Sequence, residues 1–525
     1  MQLHLSSASV RIFNVTDLFK IENPKCLINE SFAFQVFVDS PLKGEYPIKV
    51  ESNFNVSVYE VINKKGNYFL KNKRDDFYVK SEDETYPELL LPTTTLKCNG
   101  NENKTLFFDI LDLTKNVGEN KITVFVGDNK VEFTLNVINA QLPETDIKIT
   151  HWFHLDAICN YYNVEPFSPE FYKHFENFLK AYTRMGNNML LIPMFTPPLD
   201  TEVGGERLTT QLVKVEKVND SYVFDFSEMK KYIDVAKSYG IKYFELSHLY
   251  TQWGGEFCPK IIAKVNGENK RIFGWDVSST DASYKNFLIA FLKELNNFLI
   301  KEKIKENSFM HLTDEPIGTQ ADKYAELSKF IKENNFDIQT MDAMSHYEIV
   351  EKSKIDLPVL CLETLDYDLF KNQRKMHYYC EGIDNKGITN RYFHMPLLRT
   401  MILGVQLFRE KTEGFLHWGF NFYNTRWSKA VLNPYEDATA GGHFNAGDTV
   451  IVYPAENGVN YSIRYFALLK AFEDYRLLKA IEYKFGVETA DNLLKEFGVI
   501  SLFDYPRDLK TYQALKDKCY ELLQK

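Results

Sequence analysis

The chain has 525 residues, 44% hydrophobic and 26% charged, with a net charge of −10; this is too long for one ordinary core, so two or three domains are expected. The acidic balance excludes nucleic acid as a partner, because phosphate backbones are bound by clustered Lys and Arg. Seven cysteines without CxxC pairs read as reduced thiols and exclude a disulfide framework or a zinc site, so no metal and no cofactor is expected. No run reaches the ~18 apolar residues of a membrane span. The opening MQLHLSSASVRIF lacks the basic and apolar regions of a secretory signal, and the cytoplasm is the expected compartment. Oligomeric state is not encoded in any pattern found.

From Met1 to about Ala140 short alternating runs are separated by polar turns: SVRIFNV, FAFQVFV, TLFFDIL, KITVFV and VEFTLNV. Period-two alternation at this spacing predicts an N-terminal β-sandwich over 1–141. GDNK, between Val126 and Val131, predicts a hairpin turn. Past Gln141, Leu142, Pro143 and Glu144 the rhythm becomes apolar strand, turn and amphipathic helix. Candidate strands are KITHWFHL, NMLLIPM, YFELSHL, FMHLTDE, FDIQTMD, PVLCLET, GFLHWGF and TVIVYPA. Tyr324, Leu327, Phe330 and Ile331 share one helix face, as do Tyr465, Leu468, Leu469, Phe472 and Tyr475. Eight such units predict a (β/α)₈ TIM barrel over 145–481. A helical C-terminal tail, 482–525, is interrupted at Tyr505 and Pro506. The chain thus reads as multidomain α/β.

Barrel enzymes place their chemistry at the C-terminal ends of the strands, so the polar residues that close each apolar run are the candidates. These are His154 and Asp156 after the first run, Glu245 and His248 in the third, Asp314 and Glu315 in the fourth and Asp342 in the fifth. Glu363 closes the sixth, and His417, Trp418 and Asn421 close the seventh. Acids for proton transfer, polar groups for hydroxyls and aromatic faces for sugar rings make this a carbohydrate-site composition. The 31 Tyr and 41 Phe suit such a site but equally suit an ordinary core. KNKRDD near Lys71 reads as a solvated loop, GGERLTTQ as a flexible rim loop without a phosphate-binding pattern, and Glu473 with Asp474 as a charged helix face.

Asp314 and Glu315 stand apart, at the end of a strand closed by Pro316. Neighbouring residues cannot face each other across a glycosidic bond at the ~5 to 9.5 Å of the usual two-acid scheme. They can act on two atoms of one sugar. Glu315 would protonate the glycosidic oxygen, while Asp314 binds the N–H of a 2-acetamido group whose carbonyl oxygen attacks the anomeric carbon, the substrate-assisted exception. A salt-bridged rim pair is the plainer alternative.

HWFHLDAICNYYNV, PMFTPPLDTEVGGERLTTQLV, FELSHLYTQWGGEFCPKI, FGWDVSS, HLTDEP, GFLHWGFNFY and GDTVIVYPAENGVNYSIRYFALLKAFEDYRLL together resemble glycoside hydrolase family 123, from about His151 to Leu478. The resemblance implies a retaining β-N-acetylgalactosaminidase with an N-terminal β-sandwich and an oxazoline intermediate. It implies that Asp314 polarises the acetamido group, that Glu315 is general acid and base, and that the block from Trp418 to Tyr423 walls the sugar subsite. Trp253, in the TQWGG block, joins the substrate-binding candidates. The expected partner is an oligosaccharide or glycoconjugate substrate, with no nucleic acid and no membrane. Two alternatives stay open: a two-carboxylate β-glycosidase pairing Glu315 with Glu245 or Glu363, and a non-catalytic carbohydrate-binding protein. Because every candidate acid follows Gln141, the barrel is expected to need the N-terminal region only for stability or for long substrates.

Overall fold

A computed structural model describes residues 1–66, 77–79, 84–100, 102–111, 113–362, 367–379 and 387–525. The run at Lys71 and the candidate Glu363 lie outside the described residues.

Two sheets build the strand-rich N-terminal region. One has the order Gln2–Ser7, Phe32–Asp39, Lys104–Leu111, Asn55–Gly66, Glu84–Pro92, Gly458–Ser462, Val452–Ala455. The other has the order Lys25–Leu27, Asn129–Ile138, Gly118–Val126, Gly44–Glu51, Thr95–Cys98. Strand alternation sends Phe34, Val36, Val38, Leu106, Phe108 and Ile110 from the first sheet into one buried cluster with Ile122, Val124, Val126, Leu135 and Val137 from the second. Asn129 pairs with Val126, so GDNK turns through Gly127 and Asp128, with Gly127 at φ +58°. SVRIFNV is not a strand. The edge strand is Gln2–Ser7, and the following residues leave the sheet because Asn14 and Asp17 cap a single 3₁₀ turn while Arg11 is drawn into a buried ion pair with Glu88.

The barrel strands, in chain order, are Lys148–His151, Met189–Ile192, Tyr243–Leu246, Ser308–His311, Gln339–Met344, Leu357–Cys361, Met376–Tyr378 and Gly414–His417. From the second onward each pairs in parallel with the next, and the eighth pairs with the first. The seam between the first and second has no ladder and is bridged by side chains: the Tyr182 hydroxyl accepts the His151 N–H (3.1 Å) and donates to the Met189 carbonyl (2.6 Å), and Asn188 makes three further bonds. The Asn188 N–H donates to the Ile149 carbonyl (3.1 Å), its Oδ1 accepts the Ile149 N–H (2.8 Å) and its Nδ2 donates to the Ile147 carbonyl (2.9 Å). The barrel is therefore nearly closed.

Helices Pro169–Arg184, Ser227–Ser238, Ala282–Lys301, Ala321–Asn334, Tyr347–Ser353, Leu398–Arg409 and Ile463–Phe485 follow strands one to five, seven and eight; a 3₁₀ turn, Tyr367–Phe370, follows strand six. Strands inserted after the second and third barrel strands form a separate four-stranded sheet: Ser221–Asp225, Lys214–Val218, Ile261–Val265, Glu268–Phe273. Helices Val487–Glu496 and Leu509–Leu523 end the chain.

TVIVYPA, expected as the last barrel strand, is a different element. Val452–Ala455 turns back at Glu456 and Asn457 onto Gly458–Ser462, and this hairpin extends the first N-terminal sheet through Tyr461 and Ser462 against Leu90 and Leu89. The missing barrel strand is Met376–Tyr378, so GFLHWGF holds the eighth strand and not the seventh. Three residues with a central His carry no readable periodicity. Glu473 and Asp474 also depart from expectation: both are buried, Glu473 accepting from Ser31 and Lys470, and Asp474 pairing with Lys516 at 2.8 Å. Among the described residues no helix is long and apolar enough to cross a membrane.

Candidate active site

Strand four delivers a buried run, Ser308–His311 with Leu312 and Thr313, to a sharp exit. Three backbone bonds fix that exit. The Thr313 N–H donates to Asp342 Oδ2 (2.9 Å), the Asp314 carbonyl accepts the Trp253 N–H (2.8 Å), and the Glu315 N–H donates to the Ala343 carbonyl (3.1 Å). Glu315 itself sits at φ +44°, a left-handed conformation that costs a side-chain-bearing residue about 1–2 kcal/mol. Strain of this kind gathers where surrounding structure over-determines a functional turn. Both carboxylates open into one cleft of about 300 Å³, at the small end of ligand pockets. Trp152, Trp418, Tyr378, Tyr379 and Phe444 supply aromatic walls, Asp200, Gln252, Arg426 and Asp448 polar ones, and exposed Trp253 stands at its mouth.

Burial raises the Glu315 carboxyl above the usual carboxylate range; the Tyr378 hydroxyl, donating to Oε1 at 2.8 Å, opposes this and the charge of Asp448 adds to it. Burial pushes Asp314 well up, reinforced by Glu315 and then Asp342. Asp200 and Asp448 are each pushed up to about 6, chiefly by burial. An acid that keeps its proton near neutral pH is what proton donation to a leaving group needs.

The other candidates divide. Trp253 and Trp418 line the cleft with the acid pair. His154, Asp156 and Asn421 lie behind the wall: Asn421 bonds both the N–H and the carbonyl of His154, His154 Nε2 meets the Trp418 carbonyl (2.7 Å), and Asp156 is paired with Arg207 (2.7 Å) and bonded by Asn424. Tyr423 is buried with its hydroxyl on the Val452 carbonyl. GGERLTTQ is held by that Arg207 pair at its centre.

Glu245, His248 and Asp342 lie inside the barrel beneath the cleft, all buried. Glu245 accepts from Trp152 Nε1 (2.6 Å), Thr150 Oγ1 (2.8 Å) and His311 Nε2 (2.5 Å). His311 Nδ1 meets Asp342 Oδ1 at 2.9 Å, and Asp342 Oδ2 also accepts from Tyr324 (2.6 Å). Burial opposes protonation of His311, but the two flanking carboxylates win and raise it to about 10, so it is an imidazolium bonded on both sides. His248, His311 and Asp342 bring possible ligand atoms within 4.8 Å of one another. They do not fit a metal: both His311 nitrogens are engaged, and the His248 ring stacks on His311 at 4.4 Å with 21° between planes, which keeps their nitrogens from converging on one ion. The array instead holds Trp152 as the cleft floor and Thr313 at the root of the Asp314 turn.

Sequence reasoning missed Tyr378 and Tyr379 because their strand went unseen. It missed Asp448 because that residue opens an apolar run and does not close one. A larger cavity of about 760 Å³ lies where Asn187, Asn188 and Lys242 begin barrel strands, lined also by Glu30, Arg184 and Glu473. It is at the wrong end of the barrel for chemistry, and Arg184 and Lys242 there are already paired with Asp109 and Glu144.

Residues 152–481 match the family model described as Glycoside hydrolase 123, catalytic domain. The structure is similar to a family 123 glycoside hydrolase from Clostridium perfringens, studied for glycolipid glycan hydrolysis, with a TM-score of 0.72 at 15% identity, covering 100% of this chain and 97% of that one. A family 5 mannosidase from Rhizomucor miehei gives a TM-score of 0.33 at 13% identity, over 66% of this chain and 94% of its own. No curated protein matches in sequence. With most of the chain under one catalytic-domain model and an acid-lined cleft at the expected end of its barrel, the chain belongs to glycoside hydrolase family 123 and is a glycosidase.

Proposed function

We propose that the enzyme releases terminal β-linked N-acetylgalactosamine with retention, using the substrate's 2-acetamido oxygen as nucleophile. The observation that carries this reading is that two consecutive carboxylates, Asp314 and Glu315, share one cleft. With α-carbons about 3.8 Å apart, they suit two sites on one sugar better than its two faces. Glu315, protonated, gives its proton to the glycosidic oxygen as the anomeric bond breaks, and the acetamido oxygen bonds the anomeric carbon. Asp314 accepts the acetamido N–H and faces the positive charge that grows on the oxazolinium ring; that charge favours the ionised form, which burial alone resists. Water then enters, Glu315 takes its proton, and the ring opens.

The two-carboxylate alternative loses Glu245, whose oxygens already accept three donors beneath the cleft. Among the described residues, Asp448 and Asp200 line the same cleft as Glu315 and are the carboxylates left to it. Aryl β-glycosides of N-acetylgalactosamine, N-acetylglucosamine and galactose test substrate class, and glycolipid glycans belong in the same panel. A thiazoline mimic of the cyclic intermediate is expected to inhibit ~10²-fold or more tighter than substrate binds, and Asp314→Asn to weaken both turnover and that inhibition. A covalent 2-fluoro-sugar adduct on the protein, with indifference to the thiazoline, would overturn the mechanism.

A further inference from the structure

The residue just before the segment read from sequence as a barrel strand brings a fourth acid to the cleft, after Asp200, Asp314 and Glu315. Asp448 is buried yet lines the cavity beside Glu315. Its Oδ2 accepts the Trp418 indole N–H at 3.1 Å. Its Oδ1 lies 3.4 Å from His417 Nε2; burial holds that imidazole neutral, far below its usual range, and its Nδ1 accepts the Gly419 N–H, so the ring proton sits on Nε2, which nonetheless makes no hydrogen bond. Among the described residues, then, one oxygen of a buried carboxylate is held by the wall and the other makes no hydrogen bond to the protein.

The backbone at Asp448 is fixed on both sides. The Asp448 carbonyl accepts the guanidinium of buried Arg391 at 2.7 Å, and its N–H donates to the Asn445 carbonyl at 3.1 Å. Neighbouring glycines leave no slack: a Cβ at Gly419 would come within 2.6 Å of the Asp448 carbonyl oxygen, and one at Gly447, which sits at φ +95°, within 2.9 Å of the Arg464 guanidinium. A preorganised carboxylate with an unfilled acceptor in a cleft is a site for a ligand donor. Burial without enough donors is also why its carboxyl is pushed up to about 6.

We propose that Asp448 is a specificity-determining residue of the sugar subsite, its Oδ1 accepting a hydrogen bond from one ring hydroxyl of the terminal sugar while Trp418 holds Oδ2. The proposal rests on the reading of the cleft as the sugar site, but not on the acetamido group. With a deoxy sugar that oxygen goes without a hydrogen bond inside a closed cleft, so a single hydroxyl dominates discrimination.

The test uses full-length enzyme and whichever aryl glycoside the substrate panel shows to be turned over, compared with its 3-, 4- and 6-deoxy analogues. Failure of the acetamido reading changes the parent sugar and leaves this comparison intact. In the wild type one deoxy position is expected to lower kcat/KM by roughly 10- to 100-fold, as befits a hydrogen bond to a charged group. In Asp448→Ala the parent falls to about the same level and that deoxy analogue falls no further. Asp448→Asn, nearly isosteric, keeps an acceptor for Trp418 but presents N–H₂ to the hydroxyl, and is expected to show the same lost discrimination if the alanine variant fails to fold. Equal losses on all analogues, with a shifted pH profile alone, would reduce Asp448 to an electrostatic neighbour of Glu315 and overturn the proposal. So would a 2-fluoro-sugar adduct on Asp448.

Discussion

The Tyr378 hydroxyl is the one neutral donor on Glu315 among the described residues, and it stabilises the ionised form. Tyr378→Phe therefore raises the proton affinity of Glu315 further. A general acid works below its pKa and fails as pH rises through it, so the alkaline limb of kcat/KM is expected to move to higher pH in the variant. Glu315→Gln should abolish that limb for substrates with poor leaving groups; an unmoved limb in Tyr378→Phe would detach it from Glu315. At this scale the sequence was readable where a polar residue closes a strand and its neighbours fill the core, as at Asp314, Glu315 and Trp418. It was unreadable where a strand-end polar group finds an internal partner. His154 and Asp156 have the residue types of a sugar site, but Arg207 and Asn421, distant in sequence, turn them into wall supports.

Among elements, the barrel seam is the junction closed by side chains and not by a strand ladder. Where other strands meet through a ladder, strands one and two meet through buried side chains, Asn188 with three bonds and Tyr182 with two. Asn188→Ala strands the Ile149 N–H and the Ile147 carbonyl, and about 1–3 kcal/mol per stranded group is expected to disappear from unfolding stability in a denaturant titration. Substrate affinity should change little, since Asn188 begins its strand and the cleft lies past the other end. A loss of kcat without loss of stability would contradict the seam's role. Seven of the eight barrel strands were legible as apolar runs, and all of these but the sixth lead into a helix. Met376–Tyr378 was not, being too short for any period. TVIVYPA has correct strand chemistry, but alternation cannot name the sheet a strand joins.

At the scale of the whole molecule, a buried clamp links the N-terminal sheet to the backbone around the cleft. Buried Glu88, on the strand Glu84–Pro92, bonds the Arg464 guanidinium at 2.7–3.0 Å and pairs with Arg11 at 3.4 Å. Arg464 in turn holds the carbonyls of Arg391, Gly447 and Val450, which flank or support Asp448. Glu88→Gln leaves two guanidiniums buried without a counter-charge, a class of change that costs about 3–5 kcal/mol. It is expected to lower the unfolding midpoint and to raise KM together, although Glu88 touches no substrate. A variant destabilised to that extent but with an unchanged KM would show that the cleft is indifferent to this clamp.

The shared hairpin also orders events in time. Glu84–Pro92 emerges from the ribosome more than 360 residues before its partner Gly458–Ser462, so the first sheet carries an open edge throughout synthesis of the barrel. Open edges recruit other strands, and contacts this distant in sequence form late. The N-terminal fragment is thus committed to wait for the far end of the catalytic domain, and the nascent chain, more than the finished enzyme, is where aggregation and chaperone dependence concentrate.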